Sequence, residues 1–169
     1  KAYSIFKTSL KADIFSLLRK NLNSKTRYNH LLRIDLNKNT LSISLRKRIK
    51  SNLNFDLKLI KLKRRKPEFK NLKYKEILRY LSKLDNSRSD IGLCTSNKIF
   101  ETGTSNLLFI KNKKVFSPTN KFYKGITYKF FKSKIKKIIK KDILVSSLKD
   151  FDEIILIGSG KGVASVKTI

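Results

Sequence analysis

The chain is poor in the residues that build covalent cross-links and metal sites. Its 169 residues include one cysteine, one histidine, two prolines, no methionine and no tryptophan. A single cysteine, Cys94, excludes an internal disulfide, so we expect a reducing, cytoplasmic location. A single histidine, His30, without Cys, Asp or Glu at metal spacing argues against a metal site and a Ser-His-Asp triad. No apolar run reaches the roughly 20 residues of a membrane span, so no membrane partner is expected.

The beginning of the chain lacks the features of a native or a secreted N-terminus. A chain that begins Met-Lys normally keeps its Met, so we expect a missing segment upstream of Lys1. The first residues are basic, but they include Asp13 and no small-residue cleavage site, which argues against a signal peptide.

Acidic residues are scarce as well. Twelve Asp and Glu oppose 41 Lys and Arg, which gives a net charge of +29. Such a charge attracts anions, among them phosphorylated cofactors, acidic substrates and nucleic acid. Because the excess is mostly Lys, and Asn and Ile are also abundant, we favour the compositional drift of an AT-rich genome. A functional basic surface is the alternative.

The first part of the chain alternates apolar and polar residues after a helical segment. The predicted elements are a helix over 9–21, a β-hairpin formed by 31–36 and 40–45, and a strand over 55–62. A run of charged residues with Pro67 then breaks the pattern, so we place a lobe boundary near 63–69.

The second part mixes helices and strands. The predicted elements are a helix over 71–84, a strand over 90–96, a bend over 97–104, a strand over 105–110, a helix over 124–141, and two strands around a glycine-rich turn between 153 and 169. The residues expected to face the core from the two helices are Leu72, Ile77, Leu78, Leu81, Phe130, Ile135, Ile138 and Ile139. This mixture predicts an α/β or α+β fold.

Two glycine-containing segments have the chemistry to hold a phosphate. GSGKG at 158–162 fails the Walker spacing, but Gly158-Ser159-Gly160 can present backbone N–H groups and a hydroxyl at the end of a strand. Gly125-Ile126-Thr127 begins a predicted helix, and helix N-termini favour anions. Alone, the first segment favours an ordinary turn and the second an ordinary capped helix.

One cofactor would use both segments together with two further residues. Pyridoxal phosphate needs a lysine for covalent attachment, an acid that keeps its ring nitrogen protonated, and N–H or hydroxyl donors for its phosphate. Lys70 stands at the head of the second part, and Glu101 begins the polar half of ETGTSNLLF at 101–109. The sequence therefore predicts a pyridoxal-phosphate site with Lys70 and Glu101 as catalytic residues.

The order and spacing of these segments resemble the fold-type IV (class IV) pyridoxal-phosphate enzymes, which include branched-chain and D-amino-acid aminotransferases and 4-amino-4-deoxychorismate lyase. The resemblance is carried by KPEFKNLKY, ETGTSNLLF, VFSP, KFYKGITYKFF and EIILIGSGKGVASVKTI. It covers residues 66–169 well and 1–62 loosely. It implies a two-lobed fold with an incomplete small α/β lobe over 1–65 and a large cofactor-binding lobe over 66–169.

The resemblance also assigns roles to single residues. Lys70 carries the cofactor and then acts as general acid and base, and Tyr74 contacts the cofactor's phenolic oxygen. Glu101 pairs with the pyridine nitrogen. The other implied contacts are Asn106 at the turn, Tyr123 against the ring, and the phosphate-binding residues Gly125, Ile126, Thr127, Gly158, Ser159 and Gly160.

Two features of the chain depart from the family pattern. Tyr128 stands where an arginine commonly follows Gly-Ile-Thr. The early small-lobe segment that supplies a phosphate-binding arginine is not in the chain, and neither Arg27 nor Arg33 has its usual context.

Family members are typically homodimers with the active site near the interface, so a homodimer is implied.

The resemblance leaves the reaction open. The compact ETGTSNLLF and KNLKY segments favour the lyase, which converts 4-amino-4-deoxychorismate to 4-aminobenzoate and pyruvate for folate biosynthesis. The alternative is a class IV transaminase acting on another small amino substrate, a branched-chain or D-amino acid. A basic nucleic-acid- or ribosome-associated protein is less favoured, because Tyr and Phe fall at core spacings rather than on a stacking platform.

Overall fold

The chain folds into two compact units, residues 1–48 and 49–169. The computed structural model describes residues 14–36, 40–48, 50–70 and 74–169. The division lies earlier than the boundary expected near 63–69, because the strand that precedes this segment is hydrogen-bonded into the sheet of the second unit. The assignment of 1–65 and 66–169 to the two lobes of the resembled family stays a prediction.

The first unit contains, within its described residues, a helix and a hairpin. Helix α1 covers Ile14–Asn21, and strands β1 (His30–Leu36) and β2 (Leu41–Lys47) pair antiparallel. Ile34 lies opposite Ile43, an apolar cross-strand pair of the kind that stabilises a hairpin. The predicted hairpin is confirmed, whereas helical residues 9–13 and turn residues 37–39 lie outside the described part of the chain.

Nine strands of the described chain form one mixed sheet in the second unit. They are β3 (Asn54–Lys61), β4 (Ser89–Thr95), β5 (Lys98–Thr102), β6 (Asn106–Lys111), β7 (Lys114–Ser117), β8 (Ile138–Lys140), β9 (Ile143–Leu144), β10 (Glu153–Gly158) and β11 (Gly162–Thr168). Their order is β8-β7-β6-β10-β11-β3-β4-β5-β9. Neighbours run antiparallel except for β11 with β3, β3 with β4, and β7 with β8. With its helices, this sheet confirms the mixed α and β class.

Tight turns organise the middle of the sheet. Ser96 and Asn97, with φ of 50° and 57°, connect β4 to β5, and Asn112 and Lys113 connect β6 to β7 in the same conformation. Two residues with positive φ match the twist of a hairpin. The bend predicted over 97–104 is therefore wrong in its first half, because the turn lets the chain fold back at once and pair as β5. The chain bends only after Thr102.

Helix α2 covers Lys75–Leu81, which is shorter than the predicted 71–84. Ile77 and Leu81 are buried as predicted, because positions four apart share one helical face. Leu78 lies off this face and is exposed, and Leu72 falls outside the described residues. None of the helices in the described chain combines the length and hydrophobicity needed to cross a membrane.

Helix α3 covers Ile126–Lys134 and is also shorter than the predicted 124–141. Ile135 already has an extended backbone, and the isoleucines after it pair with β7 as strand β8. β-Branched side chains favour this strand conformation. On this helix Tyr128 is buried, at 1% exposure, whereas Phe130, predicted to face inward, is 56% exposed.

The core lies on both faces of the sheet. Alternate residues of β6 and β10 enter different clusters: Phe109 and Leu156 pack with β3, whereas Leu108 and Ile157 pack beneath α3 with Tyr128. This follows from the two-residue period of a strand. The two clusters hold β6 between α3 and the rest of the unit, and the start of β6 becomes the centre of the candidate site.

Candidate active site

Glu101 lies near the end of β5, with 3% of its surface exposed. The Nε of Arg64 donates a hydrogen bond to its Oε1 at 3.0 Å, and the backbone N–H of Tyr123 donates to its Oε2 at 3.3 Å. A carboxylate offers about four acceptor positions, so two bonds hold it in place and leave room for a third donor. The sequence singled out this residue, and the structure gives it a fixed orientation.

Burial determines the ionisation of Glu101. Loss of water raises the pKa of its carboxyl above the usual value, and the charge and hydrogen bond of Arg64 and the hydrogen bond from Tyr123 offset part of this rise. A buried carboxyl with a raised pKa gains from a further cation or N–H donor. Glu101 is therefore suited to hold a protonated ring nitrogen.

Arg64 is a site residue that the sequence analysis missed. Its side chain is 10% exposed, and its Nη2 donates to the carbonyl oxygen of Gly103 at 3.2 Å while Nε bonds Glu101. In the sequence it stands in the basic run KRRK, which was interpreted as a connector. A charged run carries no signal that one member turns inward, because the partner lies 37 residues away.

Replacing Arg64 by lysine is expected to lower stability although the charge is kept. Lysine lacks the planar fork that reaches Glu101 and Gly103 together, so one bond to a charged group is lost, at about 1–2 kcal/mol. Urea unfolding of the cofactor-free chain measures the change. Arg88→Lys is the matched control, since the ion pair of Arg88 with Asp85 is exposed and no measurable change is expected. Equal losses of unfolding free energy in Arg64→Lys and Arg88→Lys would contradict the role of the guanidinium fork.

Asn106, the first residue of β6, connects Glu101 to helix α3. Its Nδ2 donates to the carbonyl oxygen of Tyr123 at 2.5 Å, and its Oδ1 accepts from the N–H of Gly125 at 3.1 Å. The backbone of Tyr123 thus lies between the acid and the helix N-terminus. Asn106 thus holds the segment 123–125 in place. Its predicted part in the cofactor site and the predicted contact of the Tyr123 side chain with a ring stay predictions.

The N-terminus of α3 has the general features of a helix end that can bind an anion. Gly125 precedes the helix in an extended conformation and has no side chain that could cap it. The first N–H groups of a helix have no partner within it, so those of Ile126 and Thr127 are directed outward with the positive end of the dipole. A Cβ on Gly125 would lie 3.0 Å from Asn106 Oδ1, so this close approach favours glycine.

The second predicted anion segment begins at Gly158, which lies beside the start of β6. Ile157 of β10 lies opposite Asn106 of β6, and Gly158 follows directly. A Cβ on Gly158 would lie only 2.9 Å from Ser105 Oγ. Gly158 therefore lies beside Ser105, and Gly125 lies beside Asn106, the next residue of the chain. That 125–127 and 158–160 form one phosphate site stays a prediction.

The sequence analysis also missed a buried carboxylate that is bonded to this part of the chain. Asp90 is fully buried and accepts hydrogen bonds from the hydroxyls of Thr102 and Thr104 and from the Nζ of Lys161. Its only sequence signal is an acid at the head of a strand that is otherwise apolar.

Lys70 and Tyr74 flank residues that the structure does not describe. Lys70 is exposed, and it follows Arg64, whose side chain bonds Glu101, by six residues. Tyr74 is half-buried and packs with Ile77 and its neighbours. The attachment role of Lys70 and the phenol contact of Tyr74 stay predictions.

The family assignment follows from a comparison over nearly the whole chain. A model of the amino-transferase class IV family matches residues 10–169. The chain belongs to this family. Class IV aminotransferases depend on pyridoxal phosphate, and the resemblance stated from the sequence is confirmed. No curated protein matches this class IV chain.

Solved structures share the fold of this class IV chain. A candidate amino-acid aminotransferase from Mesorhizobium loti is 14% identical with a TM-score of 0.77, over 92% of this chain and 80% of that one. A candidate 4-amino-4-deoxychorismate lyase from Haemophilus somnus is 20% identical with a TM-score of 0.65, over 95% and 84%. Another from Legionella pneumophila is 20% identical with a TM-score of 0.64, over 75% of this chain and 52% of that one. The class IV chain thus spans about half the length of the Legionella protein.

Proposed function

We propose that the chain binds pyridoxal phosphate between Glu101 and the two glycine segments, with Lys70 as the point of covalent attachment. The observation that carries the proposal is the hydrogen-bonded path from Glu101 through the Tyr123 backbone and Asn106 to Gly125. It joins a buried acid to a helix N-terminus, which are the two groups that the opposite ends of this cofactor require.

The residues present fit the group. The phosphate end would meet the backbone N–H groups of 125–127 and 158–160, which glycines keep accessible where a Cβ would crowd Ser105 or Asn106. The ring end would meet Glu101, whose oxygens are oriented by Arg64 and Tyr123. The donors and the acid are therefore complementary to the charges of the cofactor.

The proposed roles of the residues follow from this arrangement. When bound, the cofactor supplies an electron-accepting ring that stabilises negative charge on the substrate carbon beside its amine. Lys70 holds the group and, once released, moves protons to and from the substrate with its amine. Glu101 keeps a proton on the ring nitrogen, and Arg64 and Asn106 hold Glu101 and the helix N-terminus in position.

Within the family we propose the lyase reaction, in which 4-amino-4-deoxychorismate gives 4-aminobenzoate and pyruvate. The support is the likeness of ETGTSNLLF and KNLKY to the lyase branch. The second candidate is transamination of a branched-chain or D-amino acid. A homodimer and a cytoplasmic location belong to the same proposal.

Two assays on the chain loaded with pyridoxal phosphate separate the candidates. We expect pyruvate to be released from 4-amino-4-deoxychorismate in an amount equal to the 4-aminobenzoate formed, with little amination of α-keto acids. Amination without pyruvate release would favour the transaminase. If neither occurs and nucleic acid binds with a steep salt dependence, the chain is a basic binding module and the proposal is wrong.

A further inference from the structure

The buried carboxylate of Asp90 bonds to both sides of the proposed cofactor site. Its side chain is fully buried at the start of β4. Its Oδ2 accepts from Thr102 Oγ1 at 2.8 Å and from Thr104 Oγ1 at 2.7 Å. Thr102 follows Glu101 directly, and Thr104 comes two residues later. The two threonines enclose the bend at Gly103, whose N–H donates to the carbonyl oxygen of Ile91. Asp90 therefore holds the segment that carries the acid.

A further partner of Asp90 comes from the glycine-rich turn. Lys161 Nζ donates to Asp90 Oδ2 at 2.8 Å, with 10% of the lysine side chain exposed. The same ammonium lies 4.1 Å from the centre of the Phe55 ring, a cation–π distance. Lys161 follows Gly160, so the turn at 158–160 is tied by its next residue to the carboxylate that also holds Thr102 and Thr104.

We propose that Asp90 and Lys161 are positioning residues that couple the Glu101 segment to the phosphate-binding turn. Neither touches the cofactor; they set the distance between the acid at its ring end and the N–H groups at its phosphate end. This inference rests on the proposed function. A shared buried carboxylate suits the purpose, because a misplacement of about 1 Å in a binding site can cost about a hundredfold.

Hydrogen exchange of the cofactor-free chain tests the coupling without any ligand. Lys161→Met keeps the approximate length of the side chain but removes the ammonium, and with it the bond to Asp90 and the cation–π contact with Phe55. We expect faster amide exchange in both 101–105 and 158–162. The control is Lys98→Met, which breaks the exposed ion pair with Asp142 and is expected to leave both segments unchanged. Faster exchange in 158–162 alone would overturn the coupling.

Binding of pyridoxal phosphate and of pyridoxal, which lacks the phosphate, tests the consequence for the cofactor. In Lys161→Met we expect the Kd of pyridoxal phosphate to rise by about tenfold to a hundredfold, and that of pyridoxal by less than about threefold. An equal rise for both ligands, or none, would overturn the positioning role, because general loosening moves both alike.

If Lys161→Met does not fold, a more conservative variant tests the proposal. Lys161→Arg keeps the charge, and we expect it to raise the Kd of pyridoxal phosphate by about threefold and leave that of pyridoxal unchanged. Equal values for Lys161→Arg and the wild type with both ligands would count against the proposal. If the wild type binds neither ligand, the proposed function fails, and hydrogen exchange of Lys161→Arg against Lys98→Met decides the coupling by itself.

Discussion

Turnover is expected to be abolished in Lys70→Ala. The lysine is proposed both to attach the cofactor and to move protons, and loss of a general acid–base group alone costs about 10²- to 10⁴-fold in rate. Loss of the attachment adds to this. The rate of product formation measures the effect, with pyridoxal phosphate in excess so that weaker binding does not limit the variant.

The assignment to Lys70 needs a test against the other lysines, since the chain has 41 Lys and Arg residues. Borohydride reduction followed by peptide mapping is expected to find the cofactor on Lys70. The matched control is Lys63→Ala, which should retain full activity. Lys63 is also exposed and lies seven residues earlier on the same basic segment. A label on any lysine other than Lys70 would show that the KPEFKNLKY segment has been misinterpreted.

Glu101→Gln is expected to keep the fold and the covalent attachment and to slow the reaction by roughly 3 kcal/mol of barrier, about a hundredfold in kcat. A neutral amide cannot hold the proton on the ring nitrogen. The glutamine oxygen can still accept from Arg64 or Tyr123, but its NH₂ group then faces the other donor. Steady-state kinetics measure the change, and Glu76→Gln, an exposed site on α2, is the control. Normal turnover in Glu101→Gln would refute its role.

The pH dependence of stability in the same variant reports whether Glu101 is buried as described. In the wild type, the pKa of the Glu101 carboxyl is raised in the folded chain, so the native state binds the proton more tightly than the unfolded state does. Stability from this group is fully present below the ordinary carboxyl pKa and is lost as pH rises through the raised value. The unfolding free energy of the cofactor-free wild type, relative to Glu101→Gln, should therefore fall with rising pH in that window. An opposite slope would mean that Arg64 outweighs burial.

Short-range patterns predicted the elements whose partners are near in the chain. The β1–β2 hairpin alternates with period two, and the apolar run before Gly158 predicts a buried strand that ends in a glycine-rich turn. The structure confirms both. The errors arose where a tertiary partner decided. The isoleucines after Lys134 have helical spacing, but pairing with β7 draws them into β8. The segment at 98–102 was predicted as part of a bend, but it pairs with β4 on one side and with β9 on the other and is a strand.

The same distinction holds within the site. The residue types and order around Lys70, Glu101, Gly125 and Gly158 are local, so they predicted the cofactor and the family without any coordinates. The groups that orient Glu101 and the turn could not be found this way. Arg64 reaches Glu101 across 37 residues, and Lys161 reaches Asp90 across 71. Contacts at such separations leave no periodic trace in a sequence, and folding alone determines which of the many charged side chains becomes buried and paired.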